Sequence, residues 1–239
     1  MMTSFFTSPS FRLRAHQIAL VMVGVSVLQG IMLQSGYAAL LFYPYNTLFG
    51  FELWRPFTSL FVATSPLEVI FGAIIIYSIG GTLEYRMGSK RFLYIALGIP
   101  LVASVLTLVC AFLSPRMFFG IAYGGAREVI TTLWITYGLV AHFSHERLNF
   151  WGSPLSGKAF ALIGVAFVAL NAVFASPIIV LPELFCIMLC YAYMYRHRTS
   201  NLRNKLQLKY YSWKLKKLKG RSGFRVIKGT RDDNDPQIH

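Results

Sequence analysis

Four carboxylates and one guanidinium fall inside the apolar runs of this 239-residue chain: Glu68, Glu84, Glu128, Glu183 and Arg127. A charge at the middle of a bilayer costs roughly 2.5–3.5 kcal/mol on insertion scales, so such groups pair, line a hydrated cleft, or handle protons and ligands. Glu84 ends its run beside Arg86, Lys90 and Arg91, where capping or pairing with the backbone or basic groups of that turn is the expected role. Covalent chemistry would need a nucleophile next to a base. Ser144 sits between His142 and His145, but Glu146 and Arg147 follow directly, which is the composition of a solvent-facing turn. Cys186 and Cys190 share a helix face and Cys110 stands alone. With neither metal-ligand spacing nor a disulfide pattern, these read as small packing residues, and no metal or other cofactor is expected.

Composition indicates what must position these residues. A chain with 55% hydrophobic and 13% charged residues and a mean hydropathy of +0.54 is not a water-soluble domain and reads as an integral membrane protein. Six apolar runs are long enough to cross roughly 30 Å of hydrocarbon, near 17–42, 65–84, 92–113, 125–143, 159–176 and 178–195. Basic residues accumulate on the cytoplasmic side of such proteins. Arg12 and Arg14 precede the first run, Arg86, Lys90 and Arg91 follow the second, and Arg147 and Lys158 separate the fourth from the fifth, while only Arg55 and Arg116 fall in the opposite connections. The expectation is a cytoplasmic segment 1–16, a membrane domain 17–195 and a cytoplasmic tail 196–239, with both termini cytoplasmic. The first run exceeds a signal peptide's apolar region and is expected to stay as a helix.

The net charge of +14 gathers in that tail, where 13 of the 23 Lys and Arg lie between Arg196 and Arg231. Leu202, Leu206, Tyr210 and Trp213 fall on one arc of a helix over 196–219, beside Tyr211, Leu215 and Leu218. Basic residues on the remaining surface make this the pattern of a helix lying on a membrane. Anionic lipid headgroups are the expected partner, at about 1 kcal/mol per basic residue. A docking surface for a protein is the alternative, and nucleic acid is not expected.

The stretch 43–64 is aromatic, carries Pro44 and Pro56, and is too interrupted to span. Tyr43, Tyr45, Phe49, Phe51, Trp54 and Phe57 suit the headgroup region. Within it stands Trp54-Arg55, followed at a distance by Gly80-Gly81-Thr82-Leu83-Glu84-Tyr85-Arg86-Met87-Gly88. The two segments and their separation resemble the conserved frame of the rhomboids, a family of intramembrane serine proteases, over about residues 12–195. The resemblance implies an all-α membrane protein: a six-transmembrane-helix rhomboid-like bundle with an interfacial first loop, extended here by a basic cytoplasmic C-terminal helix. Small residues such as Gly72, Gly80 and Gly81 let helices approach closely within it. Derlins, inactive relatives of the endoplasmic reticulum membrane, also carry a Trp-Arg loop and are the nearest alternative. The segment ending at Gly88 favours the rhomboid side, and the compact six-helix core with minimal extra domains resembles the bacterial type, in the inner membrane.

That resemblance also locates a rhomboid's catalytic positions, and four of them differ here. The Gly-x-Ser-Gly motif is matched by Gly124-Gly125-Ala126-Arg127, so Ala126 replaces the nucleophile and Arg127 the glycine after it. Glu183 takes the place of the sixth-helix histidine, and Glu68 and Gly72 take those of the oxyanion histidine and asparagine. Loss of either member of such a dyad costs orders of magnitude in rate, so the resemblance implies a pseudoprotease and no enzyme. Because the dyad positions meet in active relatives, Arg127 and Glu183 are expected to form an intramembrane ion pair. Glu128 and Glu68 are the rival partners, and a hydrated cleft the third arrangement. The implied function is to bind, escort or regulate transmembrane client proteins. A structural or assembly subunit of a larger membrane complex, docking through the basic tail, is the alternative. A transporter is disfavoured, since no inverted repeat is visible.

Overall fold

A computed structural model describes residues 14–34, 38–150 and 153–196. The basic tail and the amphipathic helix expected in it lie outside the described residues. The chain divides into two compact units, Met1–Met194 and Tyr195–His239, and the elements below, as far as Met194, build the first. Helix α1 covers Arg14–Gln34, and short helices α2 (Pro44–Phe49) and α3 (Arg55–Thr58), with a 3-10 turn at Ser59–Phe61, follow in the aromatic loop. The long helices α4 (Pro66–Met87) and α5 (Ser89–Leu113) come next, then the single turn α6 (Pro115–Phe118) and helix α7 (Ala126–Phe143). A hairpin of β1 (Arg147–Phe150) and β2 (Ser153–Ser156) leads into α8 (Gly157–Phe174), and α9 occupies 181–196.

Local chemistry sets these boundaries. Pro44, Pro66 and Pro115 each open a helix, at a position where the missing N–H has no intrahelical partner to lose. Ser156 Oγ accepts from Ala159 N at 3.2 Å and caps α8. Gly88, at φ +82, makes the break between α4 and α5, in a region of backbone space that disfavours side chains. Both of those helices contain a π-turn, at Ile76–Gly80 and Tyr94–Gly98.

Helices stand at all six expected positions, with two departures from the sequence reading. The first run was expected to continue to 42, but α1 ends at Gln34. Leu40 N donates to the Gln29 side chain (3.0 Å), and the Ala38 and Leu41 carbonyls go to Arg55 at 2.7 and 2.8 Å. Phe42 then pairs with Tyr123 through two backbone hydrogen bonds of 3.0 and 2.8 Å, so 38–42 is folded back onto the loops. The second departure is the β1–β2 hairpin, antiparallel with Arg147 opposite Ser156, in a chain expected to be wholly helical.

Among the described residues, four helices are long and apolar enough to cross a membrane: α1, α4, α5 and α8. Helix α7 does not join them on composition, since it carries Arg127, Glu128 and three threonines. Eleven of its 18 residues are buried, whereas the apolar windows of the other four are 28–44% buried. Helix α7 is therefore the central post, and its neighbours take the lipid-facing positions. Leu20, Ile31, Ile74, Val109 and Phe167 all point outward. Tight contacts seat it: Trp134 stacks on Phe160 of α8 at 4.6 Å, and its Nε1 donates to the Phe160 carbonyl at 2.9 Å. On another face, Ile135 and Leu139 pack with Ile95, Ile99, Cys186 and Cys190, so the two α9 cysteines are core residues.

Candidate functional site

The aromatic loop is held by Arg55, which is 7% exposed. Its Nη1 takes the Ala38 and Leu41 carbonyls, its Nε donates to Glu52, and its guanidinium lies over the Tyr43 ring at 5.5 Å. Trp54 beside it is exposed, in keeping with a headgroup-level ring. The Arg55 hydrogen bond is the main reason the Glu52 carboxyl is held below its ordinary value of 4.5. A lowered carboxyl stabilises the fold above its unfolded value, and that contribution is lost as pH falls through the folded one. The gap in melting temperature between wild type and Glu52→Gln is therefore expected to shrink below pH 4.5.

Glu84, 2% exposed, takes the capping role among those expected of it. No salt bridge joins it to the basic residues of its turn. Its Oε2 accepts the backbone N–H of Ala15 at 2.8 Å and its Oε1 the Ser89 hydroxyl at 2.5 Å. One carboxylate thus caps the start of α1 and fastens the α4–α5 break, since the first N–H groups of a helix have no partner of their own. Gly80 faces the same junction, where an added Cβ would lie 3.3 Å from the Ala15 Cβ and 3.4 Å from Phe92, and Gly81 is buried next to it.

At the opposite end of α7, Gly124 and Gly125 lie against the 59–64 segment. Gly125 N donates to the Ser59 carbonyl at 2.9 Å and Ala126 N to that of Val62 at 3.3 Å. A Cβ on Gly125 would fall 2.9 Å from Leu60 Cα, and one on Gly124 2.9 Å from the Val62 carbonyl oxygen. Backbone cannot move aside as a side-chain end does. Gly125→Ala is expected to cost about 1–3 kcal/mol, read as a lowered midpoint in thermal unfolding of the detergent-solubilised protein.

Three helices begin around this end, and the third residue of each is a glutamate: Glu68 in α4, Glu128 in α7 and Glu183 in α9. That position favours a carboxylate, because unpaired N–H groups and the helix dipole place partial positive charge there. Glu68 shows the arrangement most fully. Ser65 Oγ accepts from Glu68 N at 3.2 Å, while Glu68 Oε2 accepts from Thr64 N at 2.9 Å and Thr64 Oγ1 at 2.7 Å, an exchange close to a capping box. Glu128, 2% exposed, accepts from Ser104 Oγ of α5 at 3.0 Å. Glu183 is 4% exposed.

The expected Arg127–Glu183 ion pair is not formed. Arg127 Nε lies 3.5 Å from Glu68 Oε1, and its Nη2 donates to Thr64 Oγ1 at 3.1 Å. Thr64 stands between guanidinium and carboxylate, accepting from the first and donating to the second, and so draws Arg127 to the α4 side. A cavity of about 250 Å³ is shared by Arg127, Glu128 and Glu183, and Thr64, Tyr123, Gly124 and Pro182 with Ala122, Ala175 and Ile179 complete its walls. Of the expected cleft set, Gly124, Arg127 and Glu183 line it. Gly125 and the fully buried Ala126 sit in the wall's packing. Gly72 lies elsewhere, where its lack of a side chain admits Ile130 and Met22 at 2.8 and 3.0 Å from a would-be Cβ. Tyr123 was not foreseen. Its hydroxyl donates to the Ile178 carbonyl at 2.9 Å, and burial pushes the phenol above its ordinary value.

In a double-mutant cycle, Arg127→Ala and Glu68→Gln are expected to couple by about 1 kcal/mol, a value suited to a pair with one half-exposed member. Arg127 with Glu183→Gln should couple by less. Unfolding midpoints in detergent check both.

A family model described as Rhomboid domain matches residues 50–175. The chain is 28% identical over 119 residues to a protein named Rhomboid protease GlpG from Klebsiella pneumoniae (strain 342), an alignment covering 48% of this chain and 39% of that one. It is 30% identical over 94 residues to the protein of the same name from Salmonella choleraesuis (strain SC-B67), covering 38% and 30%. The aligned stretch spans less than half the length of these curated relatives.

Proposed function

The chain belongs to the rhomboid family, and from that premise we propose that it is a pseudoprotease: an integral membrane protein that binds, escorts or regulates transmembrane client proteins without cutting them. The observation that carries this reading is the content of the cavity at the start of α7. Its walls hold Arg127, Glu128 and Glu183, with no serine, cysteine or histidine among the lining residues, and Ala126 has no hydroxyl to offer. The Thr64 hydroxyl is committed to Glu68 and Arg127 as a helix-start clasp. Acyl transfer needs a nucleophile within reach of a base, whereas holding a helix needs only an accessible cleft and a scaffold around it.

In this proposal α7 and α9 also span, giving six crossings in a bacterial inner membrane with both termini cytoplasmic. The Arg86–Glu146 bridge at 2.5 Å then marks the cytoplasmic end and Arg55, Arg116 and Arg127 the outer one, in accord with the excess of basic residues near the former. Purified protein is expected to show no labelling by serine-directed fluorophosphonates and no cleavage of a single-span rhomboid substrate. Labelling that follows this polypeptide through purification, or cleavage by it, would overturn the reading.

A further inference from the structure

The charges around the cavity do not balance. Arg127 is taken by Glu68 and Thr64. That leaves Glu128 and Glu183, 2% and 4% exposed, both on the cavity wall, the former with a hydrogen bond from Ser104 and the latter with one from Thr131. Among the described residues no salt bridge reaches either carboxylate. The dipoles of α7 and α9 and the field of Arg127 across the cavity offset part of this, yet two carboxylates with no cation in direct contact are costly in a membrane-embedded wall. A metal ion does not answer the imbalance, since no group of three His, Cys, Asp or Glu among the described residues could hold one. The remaining walls are of another kind. Ala122, Ala175, Ile179 and Pro182 offer apolar surface of the sort on which the methylene stem of a long cationic side chain packs while its charged end reaches polar groups. At about 250 Å³ the cavity is far larger than one water requires.

We infer that this cavity receives a single basic side chain, lysine or arginine, from a client transmembrane segment, its stem against Ile179 and Pro182 and its charge against Glu183 and Glu128. The inference rests on the client-binding reading and adds its selectivity: clients carry one basic residue near the end of the span that meets the start of α7. A cation in hydrocarbon is expensive for the client as well, so a direct pair in place of two charges without one favours the complex on both sides.

The test uses the full chain in nanodiscs of zwitterionic lipid and a fluorescent leucine–alanine host helix of about 20 residues. The host carries a lysine in the outer third of the span, a lysine in the inner third, or norleucine at the outer site. The outer-lysine peptide is expected to bind about tenfold more tightly than the norleucine peptide, one charge pair's worth of affinity, and Glu183→Gln should reduce that ratio to about one. Equal affinity for lysine and norleucine, a preference that survives Glu183→Gln, or one indifferent to lysine depth would overturn the inference while leaving client binding intact. Failure of every host peptide to bind would overturn both. Should Glu183→Gln not fold, competition by n-butylammonium against the outer-lysine peptide on the wild-type protein reads the same site: competition supports the assignment, and its absence at concentrations that saturate a carboxylate pocket overturns it.

Discussion

Arg55→Ala is expected to destabilise the protein by about 3–5 kcal/mol, the largest effect of any single substitution considered for this chain. Arg55 is 7% exposed, and its guanidinium bonds two carbonyls, a carboxylate and an aromatic face at once. Removing it leaves the Ala38 and Leu41 carbonyls without their donor, and an unsatisfied buried polar group costs about 1–3 kcal/mol. Arg55→Lys keeps the charge but presents a point in place of a fork, so it should recover less than half of the loss. Thermal unfolding in a mild detergent separates the three proteins. Equal midpoints for wild type and Arg55→Ala would show that the loop is held by its aromatic residues alone.

Glu84→Ala should be the next most damaging change, at about 2–4 kcal/mol, because it removes the acceptor for both Ala15 N and Ser89 Oγ. The two contacts belong to different elements, so the loss should be local first. Amide exchange in the first turn of α1 is expected to accelerate in Glu84→Ala before the rest of the bundle opens, with Glu84→Gln intermediate, since its amide oxygen can accept only one of the two bonds. Unchanged exchange at Ala15 would refute the clasp.

Much of this architecture was legible in residue types. The Trp54-Arg55 pair, the Gly80–Gly88 segment and six apolar runs pointed to the family that residues 50–175 match, and a helix stands at each expected position. Hydropathy measures contact with lipid, so α7, whose polar residues are shielded by neighbours, is less apolar than the outer helices, although its run at 125–143 was legible as one of the six. The two departures have physical causes. The first run looked continuous to 42 because its hydrophobic residues do continue; Phe42 is fully buried, but in a loop core with Phe118 and Tyr123. The hairpin at 147–156 is too short to show a period in so apolar a chain.

The site was legible in its charged members, not in Tyr123 or in the pairing. Spacing from Gly80 reached Glu68, and the serine-motif match reached Arg127, but a family pattern in which Arg127 has no counterpart could not assign its partner. One signal would have helped. Ser65-Pro66-Leu67-Glu68 has the spacing of a helix-start exchange, and it would have placed the Glu68 carboxylate at the head of α4, next to Thr64. The same third-residue position of Glu128 and Glu183 could likewise have been read as three helix starts facing one space.

Native mass spectrometry of the reconstituted protein with a single-span peptide bearing one outer lysine tests the central claim most directly, because one spectrum reports capture and cutting together. The account predicts a complex whose mass is that of the protein plus one intact peptide, stable on prolonged incubation. Peptide fragments in the spectrum, or free protein and free peptide with no complex, would contradict it.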